Sequence, residues 1–337
     1  MNILVTGANG QLGEEIRRIV EDEIGNGKPD HYIGEKNYYI FTGHNELDIT
    51  DEYATEKFIR DNFINVIVNC AAYTNVDKAQ TDRDAAYNVN AIGAMNLALA
   101  AKSVGAVLIH ISTDYVFGGK YDTPIPPLSQ DAPEFIPVDR EKNFYGYSKL
   151  IGEHLIQTAG CKYIILRTAW VYSSHHKNFV TTMHRLHKAG THPKVVNDQI
   201  GSPTAAFHLA KFIVHIIEDN DADNRYLSKQ GIYNFAGNGT ASWYDIARQV
   251  FGKDADWVEP CGSSEFPTPV ERPKYSVLDV SLTEETFDYG IPRWTSSLIK
   301  VLHDIHMEDE DYRRALETAN SEYDYGHNVC SREDKED

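Results

Sequence analysis

The sequence predicts an α/β fold: a Rossmann-type doubly wound parallel sheet with a smaller α/β lobe. Three observations predict it. The chain opens on a short apolar run, residues 2–6, that passes straight into Gly7-Ala-Asn-Gly10-Gln-Leu-Gly13 and then a helical stretch. Apolar runs at 66–70, 106–111 and 163–168 are separated by helix-length segments, as buried parallel strands require. These runs end in small or hydroxylated residues, Ala71-Ala72, Ser112-Thr113 and Thr168-Ala169, at the edge where such sheets bind ligands.

The bulk numbers narrow the function. The chain of 337 residues suffices for one large α/β unit or two coupled domains. A formal net charge of -18 argues against a nucleic-acid or anionic-membrane partner and leaves small-molecule chemistry. Cys70, Cys161, Cys261 and Cys330 stand at no metal-ligand spacing, which suggests free thiols in a reducing cytoplasm. No apolar run approaches about 18 residues. The N-terminus enters a strand with no basic and apolar leader. Neither a membrane span nor a signal peptide is expected, and a cytoplasmic location is.

The first helix is expected over 14–23. Its N–H donors and partial positive charge, with Gly7, Gly10 and Gly13 allowing close approach, suit a pyrophosphate. The spacing is G-x-x-G-x-x-G, not the G-x-G-x-x-G of simple dehydrogenases. Residues 24–37, with Gly25, Gly27, Pro29 and Gly34, read as a surface excursion before a strand at 38–42. Thr42, Gly43, His44 and Asn45 follow it. No ribose-reading acid stands there, so NADH and NADPH are both open. A capped helix is expected over 52–62. Asp48 and Ile49 either flank an adenine or belong to the cap made by Thr50 or Asp51. The strand at 66–70 runs into Ala71-Ala72-Tyr73-Thr74, where small residues let a cofactor lie against the backbone, and Val76-Asp77-Lys78 starts a helical region. An alanine-rich helix follows over 85–104, with Asn90 either bracing a site or packing.

The strand at 106–111 ends in Ser112-Thr113-Asp114-Tyr115. Thr113 could hydrogen-bond a reacting oxygen or cap a turn. Residues 118–143, rich in Pro and Gly, form a long segment that reads as a flap near the site. It delivers Tyr145-Gly146-Tyr147-Ser148-Lys149 at the start of a helix over 145–158. On a helix Tyr145 and Lys149 share a face, and a cation beside a phenol lowers the phenol pKa from about 10. Such a Tyr exchanges a proton with a carbonyl or alcohol oxygen. Spacing alone is weak, since Tyr32/Lys36 and Tyr53/Lys57 share it; only Tyr145 follows a strand ending in Ser/Thr.

After the strand at 163–168, Ala169-Trp170-Val171-Tyr172 leaves the sheet. Trp170 either stacks on a ring of a ligand or packs in the core. Helices are expected at 178–188, 205–218, 242–251 (capped by Ser242) and 294–305, and strands at 194–196 and 231–236. The loop 266–273 offers Arg272 as a phosphate clamp or a surface ion pair. The cofactor domain is expected over 1–172 plus 204–226, and the substrate lobe over 173–203 plus 227–305. The acidic tail 306–337 is expected to be disordered. The fourteen histidines, His175-His176 and His303/His306 above all, come with no carboxylate or Cys set at ligand spacing, so no metal is expected.

Gly7/Gly10/Gly13, Thr113 and Tyr145/Lys149, in this order, resemble the extended short-chain dehydrogenase/reductase family. Segments 69–79, 110–117, 167–172, 197–204 and 269–278 resemble its reductases of 4-keto sugar nucleotides, over about residues 1–305. The resemblance implies hydride transfer from NADPH or NADH to C4 of dTDP-4-dehydro-6-deoxy-L-mannose, giving dTDP-L-rhamnose, with no metal required for the chemistry. It implies that Tyr145 protonates the nascent alkoxide, Lys149 lowers the Tyr145 pKa and holds the nicotinamide ribose, and Thr113 hydrogen-bonds the C4 oxygen. By the same resemblance Gly7, Asn9, Gly10, Gln11, Leu12 and Gly13 line the pyrophosphate and Asp48-Ile49 the adenosine. Ala71, Ala72, Tyr73, Thr74 and Ile111 line the inner cofactor. Val76, Thr113, Asp114, Tyr115, Trp170 and Arg272 would meet the dTDP-sugar. Relatives with a Mg²⁺-linked dimer carry a Glu just after the Pro-Thr of their Gly-x-Pro-Thr loop. Here Ala205-Ala206-Phe207-His208 follow, which speaks against a metal bridge and leaves a monomer or homodimer. Rival readings are a 4-epimerase, which would retain its cofactor tightly, and a non-catalytic NADP-binding regulatory subunit. A 4,6-dehydratase would need an Asp-Glu pair where Asp114-Tyr115 stands.

Overall fold

A computed structural model describes residues 1–24, 32–33, 37–119, 121–127, 132, 134–218 and 225–308. Strand β1 (Asn2–Thr6) passes through the glycine turn into α1 (Gln11–Ile24). An edge hairpin of β2 (Tyr32–Ile33) and β3 (Asn37–Thr42) follows, then α2 (Glu52–Asp61), capped by Asp51. Next come β4 (Val66–Asn69), α3 (Val76–Ala79), α4 (Arg83–Tyr87), a π turn at Asn88–Gly93, α5 (Ala94–Val104) and β5 (Val107–Thr113). Then α6 (Phe144–Ala159) leads to β6 (Lys162–Thr168), β7 (Val171–Tyr172), α7 (Phe179–Lys188), β8 (Lys194–Val196), β9 (Ile200–Gly201) and β10 (Thr204–Ala205). The chain continues through α8 (Ala206–Glu218), β11 (Gly231–Asn234), β12 (Ala241–Ser242), α9 (Trp243–Phe251), β13 (Glu259–Cys261), β14 (Tyr275–Ser276), α10 (Ser281–Phe287) and α11 (Trp294–Glu308).

The main sheet is ordered β11-β6-β5-β4-β1-β3-β2, all parallel except β2. Strand order reverses beside β1, so a crevice opens at the carboxyl ends of β1 and β4. Alternation along each strand feeds two cores. Ile3 and Val5 meet Ile16 and Val20 of α1 and Leu209 and Ile213 of α8 on one face. Leu4 meets Ile59 of α2, Leu97 of α5 and Ile156 of α6 on the other. Full burial of each such side chain contributes about 2 kcal/mol. A third core joins α7, α9 and α11 through Val180, Met183, Ile246, Phe251, Leu298 and Val301 and forms the smaller lobe.

Several expectations change. Helix α1 begins at Gln11, because the glycine turn closes directly into its first turn. The helix expected over 85–104 is broken by the π turn, which turns Asn90 inward. Strand β11 pairs with β6 in the main sheet, and Phe287 and Ile291 pack in its first core. Residues 231–234 and 287–291 thus lie with the sheet, not with the lobe assigned from 227. The segment 118–143 is no flap in its described part. Ile125 and Phe135 are buried with Phe117 and Leu278, and its described residues line no part of the main cavity. Most of the 24–37 excursion and the tail from 309 lie outside the described residues. Among described residues no helix is long and apolar enough to cross a membrane.

Candidate active site

The glycine turn is held by close packing. Gly7 has φ +65°, and a Cβ there would fall 2.5 Å from the Ala71 nitrogen. A Cβ on Gly13 would fall 2.6 Å from Ala8 Cα and from the Gly7 oxygen. Only glycine lets β1, the end of β4 and the start of α1 come this close. The first turn of α1, whose N–H groups have no partner within the helix, then faces the crevice.

Helix α6 carries the chemistry-bearing pair. Asn143 caps it by accepting from Gly146 N at 2.9 Å. Its inner face is bolted to the sheet by a fully buried ion pair, Glu153 to Arg167 of β6 at 2.6 Å, with Ser112 of β5 donating to the same carboxylate. The Asn90 amide donates to Ser148 Oγ at 2.9 Å and to the Tyr73 carbonyl at 3.1 Å, and accepts from Tyr73 N at 2.8 Å. Asn90 therefore braces the loop after β4 against α6. π turns of this kind recur at functional sites.

Tyr145 faces the cavity but is recessed from bulk water. This desolvation pushes its phenol up to about 12, against a lowering hydrogen bond with Thr113. Thr113 Oγ1 also donates to Asp114 at 3.0 Å and accepts from Tyr115 N at 3.2 Å, so it is a turn cap and a neighbour of the phenol at once. Asp114 is buried and pushed up to about 6 by desolvation, against hydrogen bonds from Ser276 and Thr113. Lys149 is buried, and desolvation brings it down to about 8. Its Nζ donates to the Ile111 carbonyl at 2.6 Å and lies 3.3 Å from His110 Nε2. This corrects the expected electrostatics. Helical spacing puts Lys149 on the Tyr145 face, but its ammonium is taken up by the sheet edge, and the Tyr145 pKa is raised, not lowered.

One cavity of about 850 Å³ joins these groups. Gly7, Asn9, Gly10, Gln11, Leu12 and Gly13 line one end, with Asp48 and Ile49 beside them. Ala71, Ala72, Tyr73, Thr74, Ile111 and Lys149 line the middle. Val76, Thr113, Asp114, Tyr115, Tyr145 and Trp170 line it as well. Trp170, at φ +48°, stacks on Trp243 of α9 with centroids 3.7 Å apart, so one face of its ring is taken within the lobe. A second cavity, shared at Gln11, Thr74, Trp170 and Lys177, reaches Phe179 and Trp243.

Arg272 is the exception. It lines neither cavity; its Nη2 is 2.7 Å from Asp77 Oδ2, tying the 266–273 loop to α3. The ion pair, one of the two alternatives, is present, on a guanidinium side chain only 20% exposed. The site residues assigned from sequence omit about a third of the lining of the main cavity, including His44, Ser112, His176, Lys177 and Leu209. Lys177 had a signal, a cation a few residues beyond Trp170 on the same sheet edge. Among described residues Glu14 of α1 joins His175 and His176 with ligand atoms within 4.8 Å, a carboxylate that sequence spacing did not reveal.

A doubly wound sheet with a glycine-turned helix start, and a Tyr and Lys on one helix beside its crevice, defines a dinucleotide-binding α/β protein of the oxidoreductase kind. The family described as RmlD substrate binding domain matches residues 1–307. The chain is 38% identical over 301 residues to a dTDP-4-dehydrorhamnose reductase of Mycolicibacterium smegmatis, covering 88% of this chain and 83% of that one. A solved dTDP-4-dehydrorhamnose reductase from Clostridium acetobutylicum superposes with a TM-score of 0.79 at 40% identity, covering 91% of this chain and all 100% of that one. One from Bacillus anthracis, solved in complex with NADP, gives 0.77 at 34%, covering 90% and 99%. The chain belongs to the dTDP-4-dehydrorhamnose reductase family.

Proposed function

We propose that this protein reduces the C4 keto group of dTDP-4-dehydro-6-deoxy-L-mannose to give dTDP-L-rhamnose, with NADPH or NADH as reductant. The observation that carries the proposal is the single cavity from the glycine turn to the Thr113–Tyr145 pair. The fit to a dinucleotide rests on the Gly7–Ala71 and Gly7–Gly13 approaches, which a Cβ would fill. When bound, the cofactor supplies a hydride to the carbonyl carbon.

The chain's own residues do the rest. The first turn of α1 takes the pyrophosphate, and Ala71-Ala72 keep the strand edge low enough for the inner cofactor. Tyr145, raised to about 12, is fully protonated at neutral pH, the form a proton donor to a nascent alkoxide needs. Asp114 accepts from the Thr113 hydroxyl, which holds that oxygen beside the Tyr145 phenol. Lys149, held on the Ile111 carbonyl, lines the crevice where the cofactor would lie, and Trp170, Tyr115 and Val76 border the sugar. The protein works in the cytoplasm as a monomer or homodimer. The segment after Thr204 carries no carboxylate for a metal bridge, and Lys211 and Lys300 sit 4.7 and 4.5 Å over the Phe207 ring.

The test is the loss of absorbance at 340 nm with each reductant and enzymatically generated keto substrate, with product identified by NMR. Stoichiometric dTDP-rhamnose is expected. Tyr145→Phe should bind cofactor as the wild type does and lose turnover by about two orders of magnitude or more. Unchanged turnover sinks the mechanism, and cofactor binding with no substrate reduction sinks the function.

A further inference from the structure

We propose that Glu14, His175 and His176 form a site for one divalent transition-metal ion of the zinc type. It lies outside the reaction centre and ties the first turns of α1 to the segment after β7. One ligand atom from each residue lies within 4.8 Å of the others. The residues come from distant parts of the chain and meet only in the fold.

Three observations carry the site. His176 Nε2 lies 2.8 Å from Glu14 Oε2, with the His176 backbone at a positive φ of 60°. The two imidazoles pack edge to face with centroids 5.0 Å apart. The His175 side chain is only 9% exposed, and its Nδ1 is buried with no hydrogen-bond partner; the nearest carboxylate oxygen, Glu15 Oε1, is 3.5 Å away. A buried ring nitrogen without a hydrogen bond costs stability; a metal ion would satisfy it, and so would the Glu15 carboxyl 3.5 Å away, which burial pushes up to about 7.

The donor set selects the ion. Two imidazoles and a carboxylate suit Zn²⁺, and Co²⁺ or Ni²⁺ as surrogates. Mg²⁺ and Ca²⁺ prefer oxygen ligands throughout. The place gives the ion a structural task. Ser173 Oγ and Asn178 Nδ2 already reach Gln11 Oε1 at 2.8 and 3.1 Å, and His175 Nε2 lies 3.3 Å from the Gln11 carbonyl. The same short segment is therefore already knit to the start of α1, and the ion adds a stronger tie between them. His176 also borders the main cavity, so the ion would stiffen the wall beside the glycine turn.

The test titrates Zn²⁺ alone into the full-length protein, stripped with a chelator and gel-filtered, against a chromophoric chelator. One Zn²⁺ per chain is expected, bound at least about tenfold more tightly than by Glu14→Gln or His176→Gln. Zn²⁺ should raise the thermal midpoint of the wild type and not of the variants. His303→Gln, at an exposed histidine beside Asp304, should bind as the wild type does. Co²⁺ substitution should give the visible absorption of a low-coordinate nitrogen and oxygen site. No stoichiometric binding, or equal affinity in wild type and both site variants, overturns the proposal.

Discussion

His110 Nε2 and Lys149 Nζ face each other at 3.3 Å as two nitrogen donors. The Asn69 Oδ1 accepts from Thr6 Oγ1 at 2.8 Å and from Ala71 N at 3.1 Å, which fixes its amide. Its Nδ2 then donates to His110 Nδ1 at 3.0 Å. Desolvation, helped by the Lys149 charge, holds His110 well below its usual pKa, so the ring is neutral and its hydrogen is on Nε2. A polar chain thus crosses β1, β4 and β5 and ends against the amine on α6. It opposes the ammonium form and accepts no proton from it.

Replacing His110 should therefore raise the Lys149 pKa. In His110→Leu the basic limb of the turnover profile, expected near 8 in the wild type, should move up by about half to one unit, on the order of 1 kcal/mol. Stopped-flow rates across pH 6 to 10 would measure it. An unmoved limb would mean that His110 only packs.

Lys149 also predicts a stability profile. Its folded pKa of about 8 lies below the ordinary lysine value of about 10.4. Between these values the unfolded chain binds the extra proton, so this residue's contribution to stability rises with pH through that window and is lowest below it. The wild-type minus Lys149→Met difference in urea unfolding free energy should increase from about pH 8 to 10. A flat difference contradicts the buried amine. Turnover in Lys149→Met should be nearly abolished.

A Cβ on Gly146 would fall on the Tyr115 carbonyl, 2.9 Å from its carbon. Gly146→Ala must push the start of α6 away from that loop, and Tyr145 with it. We expect more than about a tenfold loss of turnover with a stability cost of roughly 1–3 kcal/mol. Steady-state kinetics beside thermal melts would separate the two. Wild-type turnover would show that the helix absorbs the methyl.

The Glu153–Arg167 pair is fully buried, and the Arg167 guanidinium lies 4.9 Å over the Phe117 ring. Arg167→Met leaves an unpaired buried carboxylate and should cost about 3–5 kcal/mol, while Glu153→Leu with Arg167→Met should regain much of it. Urea melts of the four proteins complete the cycle. Additive losses would mean that the two residues do not act as a pair.

Much of this was legible in the chain. Local rules reach the glycine turn, because the positive φ of Gly7 and its approach to Ala71 favour a residue with no Cβ, and they reach the cap Ser242 and, of two candidates, Asp51, because these oxygens satisfy the nearest N–H groups. The continuous apolar strands reveal a sheet buried on both faces. Many of the cavity's residues sit at strand ends or in the glycine turn, where the order of strands gathers them, whereas Val89, Lys177 and Leu209 of α8 join the lining only in the fold. Arg272 was ambiguous because a loop guanidinium can serve a ligand or Asp77 equally well, and only the fold brings Asp77 to 2.7 Å.

The sequence by itself determined the elements, their parallel order and the edge where the chemistry gathers, since periodicity, caps and glycine positions act within a few residues. The tertiary structure alone decided which charges meet. It turned Lys149 to the Ile111 carbonyl and His110, raised Tyr145, brought Glu14 to His175 and His176, and moved β11 into the main sheet. Desolvation and pairing depend on what lies across the core, and residues 30 or 160 positions apart leave no local sign that they will touch.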